Sequence, residues 1–201
     1  GIVSDENLDK VLDRYAASIT EASGEDTEGN PIVPYTLTTG FNATGNLLND
    51  LSMHGMNDIA YRLFESTEYA SWLYPVTQGA TSIWERWNSY TTDNGFGGNN
   101  SMNSFNHYSF GAVGEWMMGY QLGIMPDPEQ GGYQHFILQP VSGGTFTSVK
   151  GSFDSVYGRI CSGWTAEEGV MTSYDVMIPA NTEATLYLPM DGVVEACEGV
   201  Q

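Results

Sequence analysis

Residues 104–123, SFNHYSFGAVGEWMMGYQLG, decide how this chain is read. They are the last stretch of helical character before the texture of the sequence changes. Their spacing predicts a helix from about Ser104 to Leu122, stopped at Gly123. On that helix His107, Gly111, Gly114 and Met118 fall at offsets of four, seven and eleven, along one face. Each glycine inside a helix costs about 1 kcal/mol relative to alanine, so the pattern predicts a close approach at that face. A lone histidine is ordinarily a hydrogen-bonded core residue. Here His107 follows a long loop beside polar Asn103, Ser104 and Asn106, which favours the mouth of a binding pocket. Glu115 is rotated about 80° from His107 and reads as a structural brace.

Four more helices are expected upstream. Ser4 can cap a helix carrying Leu8, Val11, Leu12, Tyr15 and Ile19, ending before Gly24. Thr44 can cap a second with Leu47, Leu48 and Leu51, halted near Gly55. Asn57 can cap a third with Ile59, Ala60, Leu63 and Phe64. The fourth covers Thr81 to Asn88. Residues 23–30 and 91–103 read as loops, and a loop as long as the second is usually functional or mobile. Downstream, Phe136–Gln139, Thr145–Val149, Arg159–Trp164, Thr172–Ile178 and Thr185–Leu188 read as strands between turn residues. The expected fold is therefore multidomain α and β. Five helices, each antiparallel to the next, form part of a helical barrel over residues 1–125. An antiparallel β-sandwich module over residues 126–201 follows, entered through a linker at 126–132.

Charge excludes some partners. The 201 residues hold 25 Asp and Glu against six Lys and Arg, a net charge of -19. That argues against nucleic acid, whose phosphates need basic patches, and against an anionic membrane surface. A neutral sugar fits. No apolar run approaches the roughly 18 residues of a membrane span. Cys161 and Cys197 show no metal-ligand spacing and either pair or stay free; neither metal nor cofactor is expected. No signal peptide is seen and the first residue is Gly1, so the chain is expected to be processed or a piece of something longer. Asn42-Ala43-Thr44 is a single glycosylation sequon.

The chemistry concentrates in residues 79–87, Gly-Ala-Thr-Ser-Ile-Trp-Glu-Arg-Trp. On a helix, Thr81, Trp84, Glu85 and Asn88 would share a face. A carboxylate beside an indole, with hydroxyl and amide neighbours, suits a sugar. The ring stacks on the apolar face of a pyranose, the polar groups read its hydroxyls, and the acid moves a proton. The plainer alternative is an amphipathic core helix whose Glu85 pairs with Arg86 or Arg62.

Thr38-Thr39-Gly40-Phe41, Ser71-Trp72, the 79–87 block and residues 104–116 occur in the order that resembles the C-terminal half of the bacterial α-L-rhamnosidases of glycoside hydrolase family 78. The resemblance extends over nearly the whole chain. It implies an (α/α)6 barrel followed by a β-sandwich, and inverting hydrolysis of terminal α-L-rhamnosides by an acid and a base. It maps the general base onto Glu85, a sugar contact onto His107 and a sugar-facing aromatic onto Trp72. Trp84, Thr81 and Asn106 complete the expected substrate-binding set. Ala70 and Leu73 stand where the family commonly has Pro and Gly. The acidic, aromatic cluster that supplies the family's acid has no counterpart in residues 1–78.

The expected function is thus the base-bearing fragment of an inverting rhamnosidase, inactive alone and prone to self-association through exposed half-barrel faces. Two alternatives stand beside it. One is a non-catalytic carbohydrate-binding or structural fragment. The other is an (α/α)6 glycosidase acting on a different sugar.

Overall fold

The computed structural model describes residues 3–98 and 100–188. Helix α1, Asp5–Thr20, carries Asp5 and Glu6 in its first turn, where the helix dipole favours anions. It buries Ile19 against the core. A short hairpin follows, β1 (Gly24–Glu25) with β2 (Pro31–Ile32); β1 falls within the segment read as loop and β2 just after it. Helix α2, Phe41–Met53, starts three residues before its predicted cap, with Gly40 at the N-cap. Thr44 lies inside the helix because its hydroxyl is taken up by Thr39, at 2.7 Å from the hydroxyl and 3.0 Å from the carbonyl. Helix α3, Asn57–Phe64, lies where expected, with Met56 rather than Asn57 at the cap.

Leu47, Leu48 and Leu51 of α2, Ala60, Tyr61 and Leu63 of α3, and Trp72, Phe110 and Trp116 close one apolar core. A short helix α4, Tyr74–Thr77, follows with Pro75 in its first turn, where a missing N–H costs nothing.

The predicted helix over Thr81–Asn88 does not form. Residues 81–90 run as bends and turns. Their backbone groups are used across space: Glu85 N–H donates to the Ser104 carbonyl at 2.9 Å, and His107 N–H donates to the Ile83 carbonyl at 2.8 Å. The Ser82 hydroxyl donates to the Phe105 carbonyl. Helical bonding would have to break those links, and Ser, Ile and Trp are only middling helix formers.

The predicted helix over Ser104–Leu122 starts five residues later, and in three geometries. A 3₁₀ turn, Ser109–Ala112, leads into α5, Val113–Trp116, and a π-turn, Met117–Gln121. The expected close approach at its glycines is absent: a Cβ on Gly111 would make an ordinary 3.7 Å contact with Ile83, and one on Gly114 would meet nothing within 4 Å.

The π-turn serves the junction with the β-rich part. Wider winding frees carbonyls near its end. Tyr120 accepts from Val141 N–H at 2.9 Å, Gln121 from the Trp164 indole at 2.7 Å, and Leu122 from the Ser162 hydroxyl at 2.5 Å.

Strands β3 (Ile124–Pro126), β4 (His135–Leu138) and β8 (Glu183–Leu186) form one sheet; β5 (Ser148–Ser155), β6 (Gly158–Glu167) and β7 (Val170–Met177) form an antiparallel meander. β3 lies just before and partly within the predicted linker. β8 runs parallel to β4, which departs from an all-antiparallel module. Leu122, Ile124, Phe136, Leu138 and Ile160 make the second core. At its edge, Nδ1 of His135 meets Asp127 at 2.6 Å and Nε2 meets the Thr185 hydroxyl at 2.9 Å, tying β8 to the turn after β3. Cys161 is a half-buried free thiol on β6, and Cys197 lies outside the described residues.

Candidate active site

Two segments far apart in sequence meet edge to edge. The Ser104 amide donates to Oε2 of Glu85 at 2.7 Å, reciprocating the backbone bond from Glu85 to Ser104. The half-buried Glu85 carboxylate is thereby fixed by main chain. Among the described residues its Oε1 has no hydrogen-bond partner. Pairing with Arg62 does not occur: that guanidinium lies 3.8 Å over the Tyr35 ring and donates to the Tyr35 hydroxyl at 2.7 Å.

Glu85 lines a cleft of about 210 Å³ together with Glu28, Phe41, Tyr69, Arg86, Trp87 and Asn88. That is below the range of about 300 to 1,000 Å³ typical of drug-sized ligands. The floor is aromatic. Trp87 stacks on Phe110 at 3.8 Å between centroids, and Phe41 leans on Phe110 at 4.9 Å.

His107 is half-buried and outside the cleft lining, stacked on Phe41 at 4.7 Å and on Tyr108 at 5.5 Å. Its Nδ1 accepts a long bond of 3.4 Å from Ser109 N–H, which puts the neutral ring's proton on Nε2. The structure thus brings Glu85 and His107 into one neighbourhood.

The remaining predicted residues stand elsewhere. Trp72 is buried, donates its indole N–H to the Phe110 carbonyl at 2.9 Å and packs edge-on against Trp87. Trp84 is also buried, edge-on against Phe105 at 5.2 Å. Thr81 and Asn106 are exposed and outside the cleft lining. Because the 81–88 backbone is not helical, Trp87 rather than Trp84 reaches the cleft with Glu85. Phe41 stood in a motif the sequence already singled out, whereas Tyr69 and Glu28 carried no sequence signal.

Charge shapes the rim. The Tyr69 hydroxyl is pushed up to about 12 by burial, and further by the charges of Asp26 and Glu28. It therefore stays protonated at neutral pH, close to the Asp26 carboxyl. Asn30 and the hairpin amides hold Asp26 below the usual carboxylate range. Among the described residues no group of three or more His, Cys, Asp or Glu side chains could hold a metal ion.

A larger hollow of about 640 Å³ lies on the β5–β6–β7 meander. Ser152, Gly163, Thr165, Lys150 and Asp175 line it, and none of the motif residues reaches it.

Residues 15–120 match the sequence model of the bacterial alpha-L-rhamnosidase 6 hairpin glycosidase domain, and residues 123–199 that of the bacterial alpha-L-rhamnosidase C-terminal domain. The chain belongs to the bacterial α-L-rhamnosidase family. Glu85, His107 and the aromatic floor all lie in its six-hairpin match, and the meander lies in its C-terminal-domain match. An alpha-L-rhamnosidase of Streptomyces avermitilis is 41% identical over 157 residues, 77% of this chain and 15% of that protein. One from Formosa agariphila is 35% identical over 190 residues, 94% of this chain and 19% of that protein. The chain thus spans less than a fifth of these relatives. The crystal structure of the Streptomyces avermitilis α-L-rhamnosidase complexed with L-rhamnose superposes with a TM-score of 0.72 at 39% identity, covering 79% of this chain and 15% of that one. That of the Aspergillus terreus α-L-rhamnosidase gives 0.79 at 31% identity, covering 94% and 20%.

Proposed function

We propose that this chain supplies the base-bearing part of an inverting glycoside hydrolase that releases terminal α-L-rhamnose. One observation carries the reading: Glu85 enters the aromatic cleft with Oε2 held by the Ser104 amide and Oε1 without a partner among the described residues. Inversion needs a carboxylate that takes a proton from water as the water attacks the anomeric carbon, opposite the leaving group. An oxygen oriented by main chain at one end and open at the other suits that task. Trp87 and Phe41 offer apolar faces for the pyranose. His107, braced between Phe41 and Tyr108, is assigned to a sugar hydroxyl. Trp72 and Trp84 support the walls, and Thr81 and Asn106 are assigned to the outer approach.

The relatives' names speak for rhamnose, and the structure solved with L-rhamnose belongs to one of them. The proton donor to the leaving group is assigned to a residue outside this chain, so the isolated chain is assigned no turnover. Neither nucleic acid nor an anionic membrane is a proposed partner, given the net charge of -19.

Glu85→Gln tests the role, made in a polypeptide that carries these residues together with the rest of a six-hairpin domain. Loss of a base lowers kcat for an aryl α-L-rhamnoside by orders of magnitude and leaves sugar affinity nearly unchanged. An affinity loss with kcat preserved would instead assign Glu85 to binding.

A further inference from the structure

The β1–β2 hairpin brings a second carboxylate to the cleft. Glu28, at the hairpin turn, lines the same hollow as Glu85. Its Oε2 accepts from Asn88 Nδ2 at 3.4 Å, so the residue three places after Glu85 reaches across to it.

The turn beneath Glu28 is firmly built. One Asp26 oxygen accepts the amides of Glu28 and Asn30, each at 2.8 Å, and the other accepts Asn30 Nδ2 at 2.9 Å. Tyr69, itself a lining residue, stands close to the same carboxyl. The turn is thereby held from within, and the Glu28 side chain stays exposed at the rim.

We infer that Glu28 is a substrate-positioning residue, accepting hydroxyls of a neutral glycoside and turning away acidic sugars. The inference rests on the proposal that this cleft takes a sugar. An ionised carboxylate only accepts hydrogen bonds, and a pyranoside offers hydroxyl donors around its ring. Bonds to a charged acceptor are about twice as strong as neutral ones. A site built to bond a hydroxyl also rejects the analogue lacking it. An amide N–H aimed at the Glu28 carboxylate suits an acceptor and not a proton donor. The two carboxylates outnumber Arg86, the cation on the same lining, so the charge of the cleft disfavours a uronic acid ring.

The test is calorimetry on the full 201-residue chain with methyl α-L-rhamnoside, its single-deoxy analogues and the methyl glycoside of galacturonic acid. Glu28→Gln and Glu28→Ala weaken binding of the rhamnoside by about tenfold, the scale of one lost charge-assisted hydrogen bond. Asn88→Ala weakens it less. On the one analogue lacking the hydroxyl that Glu28 accepts, wild type and variants bind alike. A merely structural role would not produce that coupling. Glu28→Gln also narrows the preference for the rhamnoside over the uronide, and unchanged melting temperatures show that the fold is intact.

If both Glu28 variants bind every analogue as the wild type does, this inference is overturned while the sugar reading stands. If the wild type fails to bind methyl α-L-rhamnoside at millimolar concentration, both fall.

Discussion

Glu85 and Ser104 exchange two hydrogen bonds across nineteen positions: the Ser104 amide donates to the Glu85 carboxylate at 2.7 Å, and the Glu85 amide donates to the Ser104 carbonyl at 2.9 Å. The carboxylate is therefore oriented by main chain and not by a partner side chain. Identity at position 104 matters little to Glu85 so long as it keeps an N–H. The same pairing brings His107 beside Phe41, because residues 104–107 lie along residues 82–85.

Ser104→Pro removes that amide and leaves a half-buried carboxylate oxygen without its donor. The expected loss is about 2 kcal/mol of stability, the scale of a hydrogen bond to a charged group. Ser104→Ala keeps the amide and loses only the weak 3.2 Å bond from Asn106 N–H, so it should cost under about 1 kcal/mol. Urea unfolding of both variants checks this; equal losses would show that the Ser104 amide does not hold Glu85.

Much of the architecture is legible from local pattern. Leu47, Leu48 and Leu51 mark the buried stripe of α2 because 3.6-residue spacing and burial coincide there. The change from helices to strands is equally plain, since period and turn residues change together. What local pattern misses is decided at a distance. Residues 81–88 carry helix-like spacing, yet their amides and carbonyls bond Ser104, Phe105 and His107. Spacing therefore selects Trp84, while the folded backbone turns Trp87 to the cleft. Glu28 and Tyr69 are invisible for the same reason: the fold brings a hairpin turn and a tyrosine some forty positions later to one cleft. The parallel pairing of β8 with β4 is likewise a matter of topology, which alternation cannot encode.

Alkali should destabilise the fold through its buried tyrosines. Tyr15 and Tyr69 are both pushed up to about 12, chiefly by burial. Their folded values exceed the unfolded value near 10, so the stabilisation they give is complete below about pH 10 and disappears as pH rises toward 12. Acid works in the opposite sense. Asp127, Asp154 and Asp26 are held below the ordinary carboxylate range, mainly by hydrogen bonds at each site. Their contribution is present above about pH 4 and is lost as pH falls through the folded values. Circular dichroism against pH, read with tyrosinate absorbance, checks both limbs. Tyr69→Phe should flatten the alkaline limb; an unchanged limb would remove Tyr69 as a cause.

Two glycines should answer oppositely to alanine. A Cβ on Gly143 would come within 2.5 Å of the fully buried Tyr61 ring, whose hydroxyl donates to the Val141 carbonyl at 2.5 Å. The ring cannot yield without breaking that link between α3 and the β-rich part. Gly143→Ala should therefore destabilise by about 1 to 3 kcal/mol, the range for overpacking. Gly114, inside α5 with nothing near it, loses only its helix penalty, so Gly114→Ala should stabilise by about 0.5 to 1 kcal/mol. Thermal unfolding separates them. A destabilised Gly114→Ala would mean that the face is covered in the protein as tested.

The isolated chain should self-associate, and salt should promote it. Val11 on α1, Met53 at the end of α2, Phe96, Met102 and Tyr108 are all at least two-fifths exposed, and Tyr108 reaches 88%. Apolar exposure of that extent on the helical part favours burial against another copy. Opposing it is a net charge of -19, whose repulsion acts between whole molecules. The two forces differ in range. Repulsion is screened beyond about 30 Å at 0.01 M salt but beyond about 8 Å at 0.15 M, whereas apolar contact is little affected by salt at these concentrations. Light scattering coupled to gel filtration should therefore show a smaller mass at low ionic strength and a concentration-dependent larger one at physiological salt. Met53→Lys with Tyr108→Lys should restore the smaller mass, although each lowers the net negative charge. An increase in mass on those substitutions would assign the association to charge and not to the apolar faces.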